Sequence, residues 1–288
     1  MKTAWGCALL AAAVMIAMPA AGELRTDFDA AALAREMARR PIVLLGEVHD
    51  NAAQHAVRAA ALRRLLEKGS RPAIAFEQFD RERQADIDRA RREAPPPGRT
   101  PAGHLIEQAR PARGWDWALY RPFVELALEF DLPIVAANLS RTDAMRVGTQ
   151  GFAAVFDEAT RGRFALDALP PGLVAAHERV VDDGHCNRMP ADALPAMARA
   201  QIARDLALAQ AIRPHFDRGV VLLTGNGHVR TDIGIPFFVG EPERSKVIAI
   251  GLLERDRLEA DAAQRFDVAF ATPVQQRPDP CAALPGKR

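Results

Sequence analysis

Four short apolar runs, Ile42–Leu45, Ala73–Phe76, Pro133–Ala137 and Val220–Leu223, are separated by longer stretches with helical patterning. Each run is apolar throughout instead of alternating with polar residues, so its strand must be buried on both faces. Parallel neighbours need a crossover connection, and helical crossovers cover both faces of a sheet. Lys246–Leu253 continues the pattern, and Phe266–Ala271 is expected as a final edge strand. The fold class expected is α/β: a mainly parallel central sheet flanked by helices.

The helices have their own punctuation. Residues 51–68 have Asp50 or Asn51 as N-cap and Gly69 as stop, and residues 116–130 have Asp116 as cap. A highly charged helix follows Phe76 and ends at Pro95-Pro96-Pro97, and residues 190–212 read as a long Ala-rich helix. Two stretches break the alternation, about 93–114 and about 140–190. They are expected to form helical insertions, or a cap lobe, within a single domain over 23–288.

The chain opens with Met1-Lys2 and an apolar run from Ala8 to Ala21. That run falls short of the ~20 residues a membrane helix needs and suits a signal-peptide core. Residues 1–22 are therefore expected to be a signal peptide cleaved near residue 21–22, and the mature chain to be exported or periplasmic. Cys7 precedes the apolar core, and no cysteine closely follows it, so lipid anchoring is not expected. Removal of the leader leaves Cys186 and Cys281, and an even pair in an oxidising compartment is expected to form a disulfide. Lys and Arg number 38 against 37 Asp and Glu, a net charge of +1, and there is one tyrosine. This balance excludes the strongly basic imprint of a nucleic-acid partner, and so few aromatics exclude a base-stacking platform.

Polar residues collect where the strands end. The first run leads into Gly46-Glu47-Val48-His49-Asp50-Asn51, the second into Glu77-Gln78, the third into Asn138 and the fourth into Thr224-Gly225-Asn226-Gly227-His228. Ligands of open α/β sheets sit beyond the carboxyl ends of the strands, so Glu47, His49, Glu77, Asn138 and His228 converge on one rim. Glu47 and His49 are two apart, which places them on one side of extended chain. Two carboxylates with two imidazoles suit three uses: a divalent metal site, an acid–base pair, or a polar ligand site. The helix near 190–212 adds Gln201, Arg204 and Asp205, read as a buried support network or, for Arg204, as a partner for a ligand carboxylate. His55 lies inside the helix after the first rim segment. His104, His177 and His215 lie in polar stretches and are expected at the surface, while His185 adjoins Cys186.

The segments LLGEVHDN, AFEQFDR, WDWALYRP, VAANLSR, HCNRMP, AQIARDLALA, TGNGHVRTDIGIP and RPDPC, in this order, resemble the ChaN family. That family comprises haem-binding bacterial proteins linked to iron uptake, within a superfamily with the Tiki, TraB and erythromycin esterase proteins. The resemblance runs from about residue 30 to 281. It implies an α/β fold with a mixed sheet and a helical lobe, and haem or metal binding near the rim. The superfamily's GExH element falls on Gly46, Glu47 and His49, its second acid on Glu77, and its late Gly-x-x-His element on Gly225 and His228.

Two functions are expected from this. The first is an exported haem-binding protein of iron acquisition, with His49, His228 or Tyr120 as axial donor and Arg121, Arg141 or Arg204 for the propionates. The alternative is a hydrolase, Tiki-like or esterase-like, in which Glu47, His49, Glu77 and His228 ligate a divalent metal or move protons. The chain lacks HExxH, so it is no ordinary zincin. Expected partners are haem or another small ligand, a second copy linked through that ligand, and outer-membrane haem-uptake components.

Overall fold

The computed structural model describes residues 22–259, 261–279 and 281–282. The leader and Cys7 lie outside the described residues, Gly22 excepted. Seven strands form one sheet: β1 (Glu23–Arg25), β2 (Ile42–Leu45), β3 (Ala73–Asp80), β4 (Ile134–Asn138), β5 (Val220–Leu223), β6 (Val247–Glu254) and β7 (Val268–Thr272). Their order is β1-β7-β6-β2-β5-β3-β4, and every pairing is parallel. The mixed sheet implied by the family resemblance is therefore corrected to a parallel one.

Side chains alternate between two cores. Val43, Leu45, Ile74, Phe76, Val221 and Leu223 pack against the helices Ala30–Met37, Ala52–Glu67, Pro101–Ala109 and Trp117–Glu129. Ile42, Leu44, Ala73, Ala75, Val220 and Leu222 face the other way, toward Arg141–Gln150, Leu194–Ile212 and Ile235–Val239. Burial on both faces is what the unbroken apolar runs demand. Among the described residues, no helix is long and apolar enough to cross a membrane.

Three boundaries differ from expectation. β3 continues through Glu77 and Gln78 to Asp80, and its register with β4 shifts between Phe76 and Asp80. Such an irregularity re-aims side chains locally. β7 is not an edge strand, because β1 pairs with it from outside. The long Ala-rich helix begins at Leu194, with Pro195 in its first turn, where the missing N–H costs no helical hydrogen bond.

Adjacent strands β2 and β5 send their chains to opposite faces: the helix Ala52–Glu67 joins the first core, and Val229 and Ile235 join the second. A crevice opens at such a reversal. Cys186 and Cys281 form a disulfide with Cα atoms 5.7 Å apart and a sequence separation of 95. Closing a loop of that size stabilises by up to about 4–5 kcal/mol on the chain-entropy model.

Candidate functional site

The loop after β2 is held before it carries anything. Asn51 caps the next helix through Gln54 N, and Gln54 Oε1 accepts from Val48 N at 2.7 Å. Glu47 and His49 flank the first of these anchors along the chain, Val48. Glu47 is buried; its Oε1 accepts from the Tyr120 hydroxyl at 2.6 Å and lies 2.9 Å from His49 Nδ1. Its Oε2 forms an ion pair with Arg58 and lies 3.5 Å from His55 Nε2. Arg58 is itself fully buried, and burial lowers its guanidinium to about 9. A carboxylate at this depth is tolerable because a cation and hydrogen-bond donors share its cost. Burial also pushes His55 down to about 4, leaving that ring neutral at pH 7.

Glu77 and His228 make a different arrangement. Glu77 Oε2 accepts from Thr224 Oγ1 at 2.7 Å and from Gly225 N at 2.8 Å, and its Oε1 lies 3.5 Å from His228 Nε2. His228 Nδ1 meets Asp205 Oδ1 at 2.6 Å. Burial opposes charge on His228, but Asp205 and Glu77 outweigh it and push the ring up to about 10. Burial likewise opposes charge on Glu77, yet the His228 imidazolium holds this carboxyl well below the usual carboxylate range. His177 Nε2 completes the group, 3.7 Å from Asp205 Oδ2 and 3.0 Å from Ile233 O.

Gly225 lets the two arrangements approach each other. A Cβ there would lie 2.9 Å from His49 Cε1 and 3.0 Å from Nε2, so any side chain would displace the imidazole. The backbone of Asn226 also bonds the first loop, N to Glu47 O at 3.0 Å.

Above them lies a cavity of about 570 Å³, lined by His49, Glu77 and His228 and by Arg113, Trp115, Leu119, Arg141, Gln201 and Arg204. Trp115 meets the His49 ring edge-on with centroids 4.9 Å apart. Arg204 Nη1 donates to Asn138 Oδ1 and Leu139 O, each at 2.7 Å, and Asn138 in turn donates to Glu77 O. Arg204 thus serves as support while also facing the cavity.

The anticipated residues therefore separate. His49, Glu77, His228, Arg141 and Arg204 line one cavity, whereas Glu47 and Tyr120 lie beneath it and Arg121 is exposed elsewhere. Tyr120, expected as a possible axial donor, is fully buried and its hydroxyl donates to Glu47. Both ring nitrogens of His228 face carboxylates, Nε2 that of Glu77 and Nδ1 that of Asp205. His49 differs, with its side chain 48% exposed and no hydrogen bond from Nε2 to any described residue. His104 and His177, expected at the surface, are buried.

The sequence reading missed Arg58, Arg113 and Trp115. Arg58 had a signal: it shares the buried helical stripe of Gln54, His55, Ala61, Leu62 and Leu65. Arg113 and Trp115 sit in a loop after the helix Pro101–Ala109, where no periodicity marks them.

A family model described as haem-binding uptake, Tiki superfamily, ChaN, matches residues 33–239. The chain belongs to this ChaN family. Among solved structures it is similar to one of cofacial haem binding to ChaN of Campylobacter jejuni, at 20% identity and TM-score 0.64 over 83% of this chain and 90% of that one. An erythromycin esterase mutant in its open conformation gives 15% identity and TM-score 0.44 over 78% and 72% of the two chains. A comparison with curated proteins found no match. The first likeness supports the same α/β fold at a level that sequence identity alone would not.

The donor set offers no support for a metal centre. Among the described residues, no group of three or more His, Cys, Asp or Glu is arranged to hold a metal ion. Glu47 is paired with Arg58, and Glu77 and Asp205 share the one His228 ring between them, so each carboxylate already has a partner within the protein. The metal-dependent reading of Glu47, His49, Glu77 and His228 therefore finds no support in this arrangement.

Proposed function

We propose that this ChaN-family protein is exported, binds haem in the rim cavity, and serves bacterial iron acquisition. The observation that carries the reading is His49, a half-exposed imidazole on the cavity wall. Glu47 lies 2.9 Å from its Nδ1 and favours the proton there, which leaves the Nε2 lone pair for iron. The surroundings fit the rest of the group. Trp115 and Leu119 offer apolar surface, and Arg113 and Arg141, with no ion-pair partner among the described residues, offer charge for the propionates. Haem, when bound, supplies a redox-active iron and a planar apolar body. The chain's part is to hold one imidazole tautomer, to shield one face, and to place guanidiniums around an acidic edge.

Haemin titration of the purified mature protein tests this. A saturable, shifted Soret band is expected, with His49→Ala abolishing or strongly altering it and Tyr120→Phe leaving its position unchanged. A His49→Ala spectrum identical to that of the parent protein sinks the assignment. Recovery of the mature chain from the periplasm, beginning near residue 22 or 23, tests export.

A further inference from the structure

The chain after β7 turns back across the rim. Pro273 O accepts from Asn51 Nδ2 at 2.9 Å, and Gln275 N donates to Glu254 Oε1 at 2.9 Å. Arg277 then reaches two carboxylates at once. Its Nε and Nη2 donate to the two oxygens of Asp50, each at 2.8 Å, and its Nη1 and Nη2 donate to the two oxygens of Glu254, each at 2.8 Å. The Glu254 side chain is fully buried at the end of β6 and also accepts from Asn51 Nδ2 at 2.7 Å. Asp50 is the neighbour of His49 and lines the same cavity. The far end of this segment is fixed as well: Cys281 is bonded to Cys186, just past the helix Pro171–Gly184, and Arg188 donates to Cys281 O at 3.0 Å.

We propose that Arg277, on a tail fastened by the Cys186–Cys281 disulfide, is the positioning residue for His49. A guanidinium fork between two carboxylates fixes direction as well as distance, which a point charge does not. One of its partners is rigid, a buried glutamate on a central strand; the other is the residue beside the imidazole. Arg277 thereby transmits the position of β6 to the 47–51 loop, and the disulfide keeps Arg277 in place. The haem-affinity arm rests on His49 as the iron-facing group; the geometric arm does not.

The test reads His49 in two ways. Long-range proton–nitrogen correlation spectra of the ¹⁵N-labelled protein without haem report the ring, with His49→Ala used to assign it. In Arg277→Gln the His49 ring resonances are expected to shift or broaden while those of His228 stay in place, and haemin affinity is expected to fall about tenfold, the usual range for an outer partner of a ligating histidine. Arg277→Lys is expected to restore little, because one ammonium cannot bridge both carboxylates. Reduction by a dithiol gives a weaker effect of the same sign: the reagent's two thiols become its cyclic disulfide, and two electrons and two protons arrive as the Cys186 and Cys281 thiols. Unmoved His49 resonances in Arg277→Gln overturn the proposal. Where circular dichroism shows that this variant has not folded, the same readout on Arg277→Lys and on the reduced parent protein decides, and unmoved resonances there overturn it. A haemin spectrum indifferent to His49→Ala ends the axial assignment alone, and the resonances still judge Arg277.

Discussion

Two acid–histidine pairs face each other across Gly225, and they spend the same chemistry in opposite ways. In the Glu47–His49 pair the acid is buried, compensated by Arg58 and Tyr120, and the histidine is half-exposed. In the Glu77–His228 pair both members are inside, and the histidine is the compensating cation for Glu77 and Asp205. A cation supplied from a helix below compensates Glu47 and leaves the first imidazole half-exposed. Without such a cation, the second imidazole must carry the charge itself. Residue type is equal in the two pairs; the source of the positive charge sets which histidine is available.

The largest expected effect comes from removing that source. Arg58→Met leaves Glu47 buried without its cation, and breaking one side of a buried pair costs about 3–5 kcal/mol. Urea unfolding should show that loss with an m-value close to that of the parent protein. A loss below about 1 kcal/mol would mean that Tyr120 and His55 suffice, and the contrast between the pairs would fail.

The pairs should also respond to pH in opposite directions. His228 is raised from 6.5 to about 10 in the folded protein, so its contribution is fully present below pH 6.5 and is lost as pH rises through 10. His55, beneath the first pair, is lowered from 6.5 to about 4 by burial. It must charge on unfolding, so its contribution is lost as pH falls from 6.5 toward 4. Stability against pH should therefore fall on both sides of pH 6.5. His228→Gln should flatten the alkaline limb and His55→Gln the acid limb. Exchange of those two outcomes would break the assignment.

How much of this was legible in the residues follows from what each part depends on. Strands β2 and β5 could be placed to the residue because burial on both faces leaves an unbroken apolar run. β1 escaped because Glu-Leu-Arg contains no such run and is a strand only through pairing with β7. The rim itself was legible, since parallel topology sends every strand end to one side. The division of labour within it was not. Arg58 reads as a surface charge until its stripe is counted, and His177 looks polar until Asp205 and Ile233 arrive from 28 and 56 residues away. Arg277 and Asp50 are separated by most of the chain, and no local pattern joins them.

A smaller effect should come from the glycine between the pairs. Gly225→Ala puts a methyl group within 3.0 Å of the His49 ring, which must move outward because Gly225 N is tied to Glu77. The Glu77–His228 side keeps its contacts, so stability should fall by only about 1–2 kcal/mol, the usual range for local overpacking. Haemin affinity should fall more than stability does, because the displaced group is the one proposed to meet iron. Equal losses in the two measurements would place Gly225 in the fold alone.

The smallest expected change in stability belongs to His49. His49→Ala removes an exposed ring and one hydrogen bond, while Glu47 keeps Tyr120 and Arg58. The cost should stay under about 1 kcal/mol, a Tm shift of a few degrees at most in a domain of this size. His228→Ala, by contrast, leaves Glu77 and Asp205 buried without their shared cation and should cost several times as much. Thermal unfolding of the two variants side by side, each also titrated with haemin, separates a group kept for a ligand from one kept for the fold. His49→Ala should lose the Soret signal and retain its Tm; His228→Ala should lose Tm first. If His49→Ala proves the less stable of the two, the exposed imidazole is bound into the structure more firmly than its contacts indicate, and it is not held in reserve for iron.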